Sequence, residues 1–332
     1  MKMSQAADGA TPTVPPSPTA QATEERPATI APEAEVVSGA AMTLGARLAP
    51  LAVMAPLATV CLWAGNTIVT RSAAGVVEPA SMAFYRWLLA FAVLTPFLLP
   101  AVWRRRETVR DNWTKLAALG VLGMALYQGL AYEAAKTTTA INMGVIVSTM
   151  PLMAVLLAGL LAGEAPTARR IAGVGVSAVG LMVLVTSGDP SRLLEAGIGY
   201  GDGLMLVAVF SNALYGVLIK RWTTPLTSWQ QLYVQIGFGT LFILPFWIAS
   251  PVSPPTWANL PLILYAAIAA SLLAPVFWIV GIRRLGAARA TLFLNLLPVI
   301  VAGLAWGLLG EEIRAFHLVG GAVALVGVAI AL

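Results

Sequence analysis

The sequence predicts an all-α membrane protein: ten transmembrane helices arranged as two inverted-topology five-helix repeats around a central cavity. Three observations predict it. Hydrophobic residues make up 58% of the 332 and charged residues only 11%, more apolar surface than a water-facing exterior can hide. From about residue 50 the chain falls into ten apolar stretches separated by turn and charge signals. Residues also recur at a fixed offset of 147 positions, as Pro151 and Pro298 do, with five stretches in each half.

A bilayer core takes about 17–25 residues per helix. The stretches run approximately 50–70, 80–101, 116–134, 141–162, 169–187, 203–219, 230–249, 260–281, 289–309 and 316–332. The breaks between them include Glu78-Pro79, Arg104 to Lys115, Gly163-Glu164, Gly188-Asp189-Pro190, Lys220-Arg221, Pro251 to Pro255, Arg283-Arg284 and Glu311-Glu312. The connections are short, so consecutive stretches are antiparallel neighbours with no room for an extramembrane domain between them. Residues 1–46 differ: they are rich in Pro, Ala, Thr and Ser and carry five acids, and they lack an early apolar run. This segment reads as a disordered cytosolic tail rather than a secretory signal. The two halves then span residues 47–190 and 200–332.

Placing the N-terminus in the cytosol puts 12 Lys and Arg residues in the inside loops and 4 in the outside loops. Basic residues favour the cytosolic side, so both termini are expected there. The net charge of +5 is then a signal of topology and not of nucleic-acid binding. One cysteine, Cys61, and one histidine, His317, leave no material for a disulfide framework or a His or Cys metal cluster. No cofactor and no metal are expected.

The repeat carries the organisation. Ala140 maps to Ala287, Pro151 to Pro298, Gly163-Glu164 to Gly310-Glu311, Gly173 to Gly320 and Gly180 to Gly327. Five spans per half is an odd number, so the second half enters the membrane upside down, an arrangement common in secondary transporters. Pro151 and Pro298 each remove a helix hydrogen bond and free the carbonyls of Val147 and Leu294. The pair reads as hinges or cavity walls, or as packing kinks. Small residues at Gly173, Ser177, Gly180 and at Gly320, Ala324, Gly327 permit close helix contact. Glu164 and Glu311 read as structural caps or loop partners at the membrane interface.

These features, with the Trp63-Ala64-Gly65-Asn66 opening and the doubled Pro…Gly-Glu…Gly pattern, resemble the EamA-type carriers of the drug/metabolite transporter superfamily over about residues 50–332. Within that group the chain is similar to bacterial aromatic amino-acid exporters. The resemblance implies a ten-span bacterial inner-membrane protein that moves amino acids or other small metabolites outward. It also leads one to expect a basic tail after the last span, where this sequence stops at Leu332.

Polar side chains in spanning helices turn inward. Trp63, Asn66, Thr67 and Thr70 share one helix face, and Tyr127, Gln128 and Tyr132 lie together in the third stretch. Asn142, Ser148 and Thr149 follow in the fourth; Ser211, Asn212 and Tyr215 in the sixth; Ser271, Pro275 and Trp278 in the eighth; Thr291, Asn295 and Pro298 in the ninth. Together they suit an amphipathic zwitterion with an apolar side chain; alternatively they are interfacial belts and helix glue. Trp63, Asn66, Tyr215 and Asn295 are the leading candidates, lying well inside their stretches. Arg86 is the deep charge, and an arginine at a helix centre costs about 2.5–3.5 kcal/mol on insertion scales. It reads either as the holder of a substrate carboxylate or gate of the outer mouth, or as half of a structural pair with Glu133.

No nucleotide-binding loop and no relay of acids crosses the stretches, which points to facilitated diffusion or to coupling through a peripheral acid. The expected partners are a small-molecule substrate and the lipid bilayer, with no nucleic acid, and the carrier is expected to act as a monomer. Cationic drugs and nucleobase-like metabolites are the alternative substrates. An intramembrane enzyme would need clustered acids or His within the spans, so no enzymatic activity is expected.

Overall fold

Among the described residues, eight helices are long and apolar enough to cross a membrane, and two shorter apolar helices follow them. The computed structural model describes residues 32–163, 167–189, 191, 199–286, 289–290 and 293–331, with side chains from Val53 on, Ala162 apart. Helix α1 runs Pro32–Ala73, its apolar part being Val53–Ala73. Then come α2 (Pro79–Trp103), α3 (Trp113–Ala134), α4 (Ala140–Leu161), α5 (Ala168–Val185), α6 (Tyr200–Arg221), α7 (Ser228–Ala249) and α8 (Leu260–Leu285). The shorter helices are α9 (Phe293–Leu309) and α10 (Ala315–Ala331). Residues up to Leu48 form one unit and Ala49–Leu332 another; everything below concerns the second. Of the predicted tail, residues 1–31 lie outside the described residues, as do Glu164, Ala287 and Thr291.

Local sequence explains the ends. Thr139, Thr167 and Thr227 cap α4, α5 and α7 by accepting from Asn142, Arg170 and Gln230 backbone N–H groups. At α7 the Gln230 side chain accepts in return from the Thr227 N–H. The repeated glycines Gly163 and Gly310 both sit in the left-handed region, at φ 72° and 66°, where α4 and α9 stop. That conformation gives the Gly of the doubled Gly-Glu pair its physical reason.

The two repeated prolines do more than kink. Helix α4 is interrupted at Thr149 and restarts at Met150, with Pro151 in the first turn of the new segment. Helix α9 opens in a 3-10 turn over Phe293–Leu296 and becomes α-helical at Leu297, with Pro298 in the first turn. A proline in a first turn removes an N–H that would have had no partner there, so the break relieves the clash that a continuous helix would carry. The Ser148 and Thr149 hydroxyls donate to Val145 O and Ile146 O at the interruption.

Helices α5 and α10 pack antiparallel through the predicted glycines. A Cβ on Gly173 would stand 2.7 Å from Gly327 O, and one on Gly327 would stand 2.7 Å from Gly173 O. The same reciprocity joins Gly180 to Gly320 O (2.6 Å) and Gly320 to Gly180 O (2.8 Å). The backbones meet directly at these glycines, with only the small Ala331 side chain also against Gly173. Elsewhere α2 packs on α7 through Phe91 stacked on Tyr233, with ring centroids 4.6 Å apart. Helix α3 packs on α6, where Ser211 donates to Leu122 O. Helix α1 packs on α8, where Thr59 donates to Ala274 O, and α4 packs on α9, where Gly144 faces Val301.

Among the described residues three helices widen into π turns, Val121–Leu126 in α3, Tyr265–Leu273 in α8 and Ala305–Leu309 in α9, of which the first two lie at matching places in the halves. Shifted by 147, the first falls inside the second. Such turns leave carbonyls without their usual partners. Here side chains take them up: Trp87 Nε1 donates to Met124 O, Ser211 to Leu122 O and Ser271 to Ala266 O.

Candidate functional site

Arg86, eight residues into α2, is the centre of the buried polar groups. It is 3% exposed. Its Nε donates to Ser271 Oγ at 2.8 Å. Its Nη1 lies within donating distance of Gln128 Oε1 (2.9 Å), Asn66 Oδ1 (3.0 Å) and the Tyr132 hydroxyl (3.1 Å). Nη2 donates to no group among the described residues. The guanidinium carbon sits 5.0 Å from the Trp87 ring centroid, within cation–π range. These partners come from α1, α3 and α8. All are neutral. Hydrogen bonds to a charged group contribute about 1.5–3 kcal/mol each, so they hold the guanidinium in place while leaving its charge uncompensated.

The predicted pair of Arg86 with Glu133 does not form. Glu133 pairs with Lys136, at 3.0 Å, and Lys136 also reaches Glu78, at 3.3 Å. The physical reason is helical phase. Tyr132 points at Arg86, and the next residue lies about 100° further round α3, facing the loop where Lys136 stands. Burial opposes the Lys136 charge, but hydrogen bonds to Glu133 and Glu78 more than offset it and hold the ammonium above the usual lysine range.

The other predicted residues divide. Asn66, Gln128, Tyr132 and Ser271 converge on Arg86. Thr67 and Thr70 donate to the carbonyls of Trp63 and Asn66 one turn back, which fixes the face that presents Asn66. Trp63 and Trp278 meet across α1 and α8, with centroids 5.6 Å apart. Tyr215 donates to Gln235 Oε1 at 3.1 Å, and its ring lies against Gly123. Tyr127 is half-buried and packs against the apolar cluster of α3, α4 and α6. Ser148 and Thr149 are spent on the α4 interruption. Asn142 turns away to Asp202, donating through Nδ2 at 3.2 Å, and Thr138 donates to the same carboxylate. Asn295 is exposed on the 3-10 turn of α9 and does not join the cluster.

Gln235 is not singled out by the sequence reading, and Asp202 enters it only as a peripheral acid near the outer face. Gln235 is fully buried in α7. Its signal was present: a glutamine in the middle of an apolar stretch must face protein. Glu311 takes the structural role expected of it. Its carboxylate accepts from Ala140 N–H (2.9 Å) and Ile141 N–H (3.2 Å) at the start of α4 and lies 3.7 Å from Arg71 Nε.

The sequence profile of the EamA-like transporter family matches residues 50–186 and again 199–332. The chain belongs to the EamA-like transporter family. It is a multi-pass membrane protein of a transporter family. Two relatives show the breadth of this EamA-like group. The uncharacterized transporter YyaM of Bacillus subtilis is 27% identical, over 78% of this chain and 86% of its own length. A probable terminal-alkyne amino-acid exporter of Streptantibioticus cattleyicolor is also 27% identical, over 81% of this chain and 89% of its own. One solved crystal structure shares the fold, with 19% identity and a TM-score of 0.55 over 84% of this chain and 96% of that one.

Proposed function

We propose that this EamA-family protein is a secondary carrier that exports aromatic or other apolar amino acids by alternating access. The observation that carries the reading is the Arg86 cluster: a polar centre drawn from helices of both family-matched segments, inside a bundle whose exterior is apolar. Polar groups within spans mark substrate pathways. The Trp63–Trp278 pair supplies an aromatic wall beside Asn66 for an apolar side chain. The named activity of the Streptantibioticus relative, amino-acid export, agrees with this substrate class. A cationic drug would meet the Arg86 charge, so cations are the poorer fit.

In this reading all ten apolar helices cross the bilayer, as two inverted halves over about residues 47–190 and 200–332. The packing supports it. Helices α2 with α7, α4 with α9 and α5 with α10 are equivalent pairs, and α1 with α8 is the counterpart of α6 with α3. Exchanging the halves maps this set of contacts onto itself. At about 1.5 Å per residue, the 17 residues of α10 reach the lower end of the spanning length. In the same reading both termini lie on the cytosolic face of a bacterial inner membrane, an orientation that the Lys and Arg distribution supports. The Thr149–Pro151 and Leu296–Pro298 interruptions serve as hinges, the carrier works as a monomer, and transport runs down the substrate gradient or couples to a peripheral acid.

Two measurements test this. Proteoliposomes loaded with unlabelled L-phenylalanine should accumulate labelled L-phenylalanine by counterflow, saturably and in preference to the D-isomer. Linear, unsaturable flux would make the protein a channel, and a requirement for an imposed pH gradient would decide for proton coupling. The exposed Cys61 lies in the apolar part of α1. It should resist a membrane-impermeant maleimide in intact vesicles and react with a lipid-soluble one. Equal labelling by both would remove α1 from the bilayer.

A further inference from the structure

Resting on the carrier reading above, we infer that Arg86 is the docking point for the carboxylate of the transported molecule, and that the amino group is not recognised by charge. The substrate class is therefore an apolar monocarboxylate, of which amino acids are one member.

The first ground is the missing counter-charge. The ion pairs of the described residues join Arg71 to Glu311, Arg110 to Asp111, Lys136 to Glu78 and Glu133, and Arg314 to Glu312. None reaches Arg86. A buried guanidinium normally keeps a carboxylate partner, because the charge is poorly solvated there. Here four neutral oxygens stand in its place.

The second ground is geometry. Nε and Nη1 are tied to Ser271, Asn66, Gln128 and Tyr132, which fixes the plane of the fork, while Nη2 has donors to spare. A buried guanidinium oriented in advance by neutral groups suits an incoming anion. The apolar end of such a molecule has aromatic surface within reach, since Asn66 and Trp63 occupy one face of α1 and Trp278 stands against Trp63.

The third ground concerns the other end of an amino acid. An ammonium would want a carboxylate near Arg86, and the described residues bring none to the cluster: Glu133 is engaged by Lys136, and Asp202 by Thr138 and Asn142. Neutral oxygens can accept from an ammonium but do not demand its charge.

The test uses the unmodified protein in proteoliposomes, with labelled L-phenylalanine counterflow competed by 3-phenylpropionate, which lacks the amino group, and by phenethylamine, which lacks the carboxylate. The inference expects phenylpropionate to compete within a few-fold of phenylalanine. Phenethylamine should be weaker by about thirtyfold or more, the scale of losing one partner of a buried charged pair. Equal competition by the amine, or none by phenylpropionate, overturns the inference while leaving the carrier intact. Failure of phenylalanine itself to be carried removes the carrier reading and this inference with it. Variants add a second readout. Arg86→Lys should raise KM for phenylalanine more than it lowers the maximal rate, and Arg86→Gln should flatten the preference for acid over amine. A tether without a docking role would lower the maximal rate and thermal stability for every ligand and leave the preference unchanged.

Discussion

Leucine at Gly180 or at Gly327 will leave the protein without a stable fold. Each glycine faces the backbone of the opposing helix, where even a single Cβ would come within 2.6–2.7 Å of a carbonyl oxygen. A side chain could yield to such a clash by changing rotamer; a helix backbone cannot. Overpacking a close contact costs about 1–3 kcal/mol when neighbours can shift, and more when they cannot. Against a total stability of about 5–15 kcal/mol, the loss should appear as aggregated protein in size-exclusion chromatography and as the absence of a cooperative melt. Gly175, on the same helix α5, is the internal control, because an added Cβ there meets nothing within 4 Å. Gly175→Leu should give a folded protein. Equal damage from Gly175→Leu and Gly180→Leu would mean that α5 tolerates no bulk at all, and the α5–α10 contact would lose its special standing.

The second large effect belongs to Glu311. Its carboxylate caps two N–H groups at the start of α4 and lies beside Arg71. The two interactions are unequal. The Arg71 side chain is 35% exposed and its Nε is 3.7 Å from the carboxylate, so as an exposed ion pair it contributes about 0–1 kcal/mol. The capping bonds are charge-assisted and aligned with the helix dipole, and contribute about 1.5–3 kcal/mol each. Glu311→Ala should therefore destabilise the protein by about 3 kcal/mol, which lowers the melting temperature by several degrees. Glu311→Gln keeps one acceptor and should lose roughly half of that. Arg71→Gln should lose less than either, although it also gives up a hydrogen bond to Ala135 O. A larger loss from Arg71→Gln than from Glu311→Ala would show that the ion pair, and not the cap, holds this corner.

What the sequence made legible follows from periodicity and symmetry. The apolar stretches, the Gly173/Gly180 and Gly320/Gly327 contact and the repeated proline breaks depend on spacing along the chain, and spacing is visible in one dimension. The inward faces carrying Asn66, Gln128 and Tyr132 were readable for the same reason. Arg86 was legible as a charge that needs partners, but their identity was not. Whether a side chain on α2 meets Tyr132 or Glu133 turns on about 100° of helix rotation, and nothing in the residues around Arg86 fixes that angle. Asn142 illustrates the same limit. Its side chain is partly buried, but it is taken up by Asp202, distant in sequence, and not by the polar centre. Asn295 stands apart for another reason: the 3-10 turn before Pro298 changes the period, so a position counted on an α-helix face is exposed and does not pack with the Arg86 centre.

The π turns at matching places in α3 and α8 have a further consequence. A π turn holds one residue more than an α turn. Moving that surplus residue along the helix re-phases each residue it passes by about 100° and displaces it by about 1.5 Å. Gln128 and Tyr132 lie just beyond the surplus in α3, and Ser271 lies within the one in α8. The grip on Arg86 is thus mounted on two helices that carry slack in their winding: a surplus that travels past Gln128 in α3, or past Ser271 in α8, turns that side chain away from the guanidinium while the helix stays hydrogen-bonded.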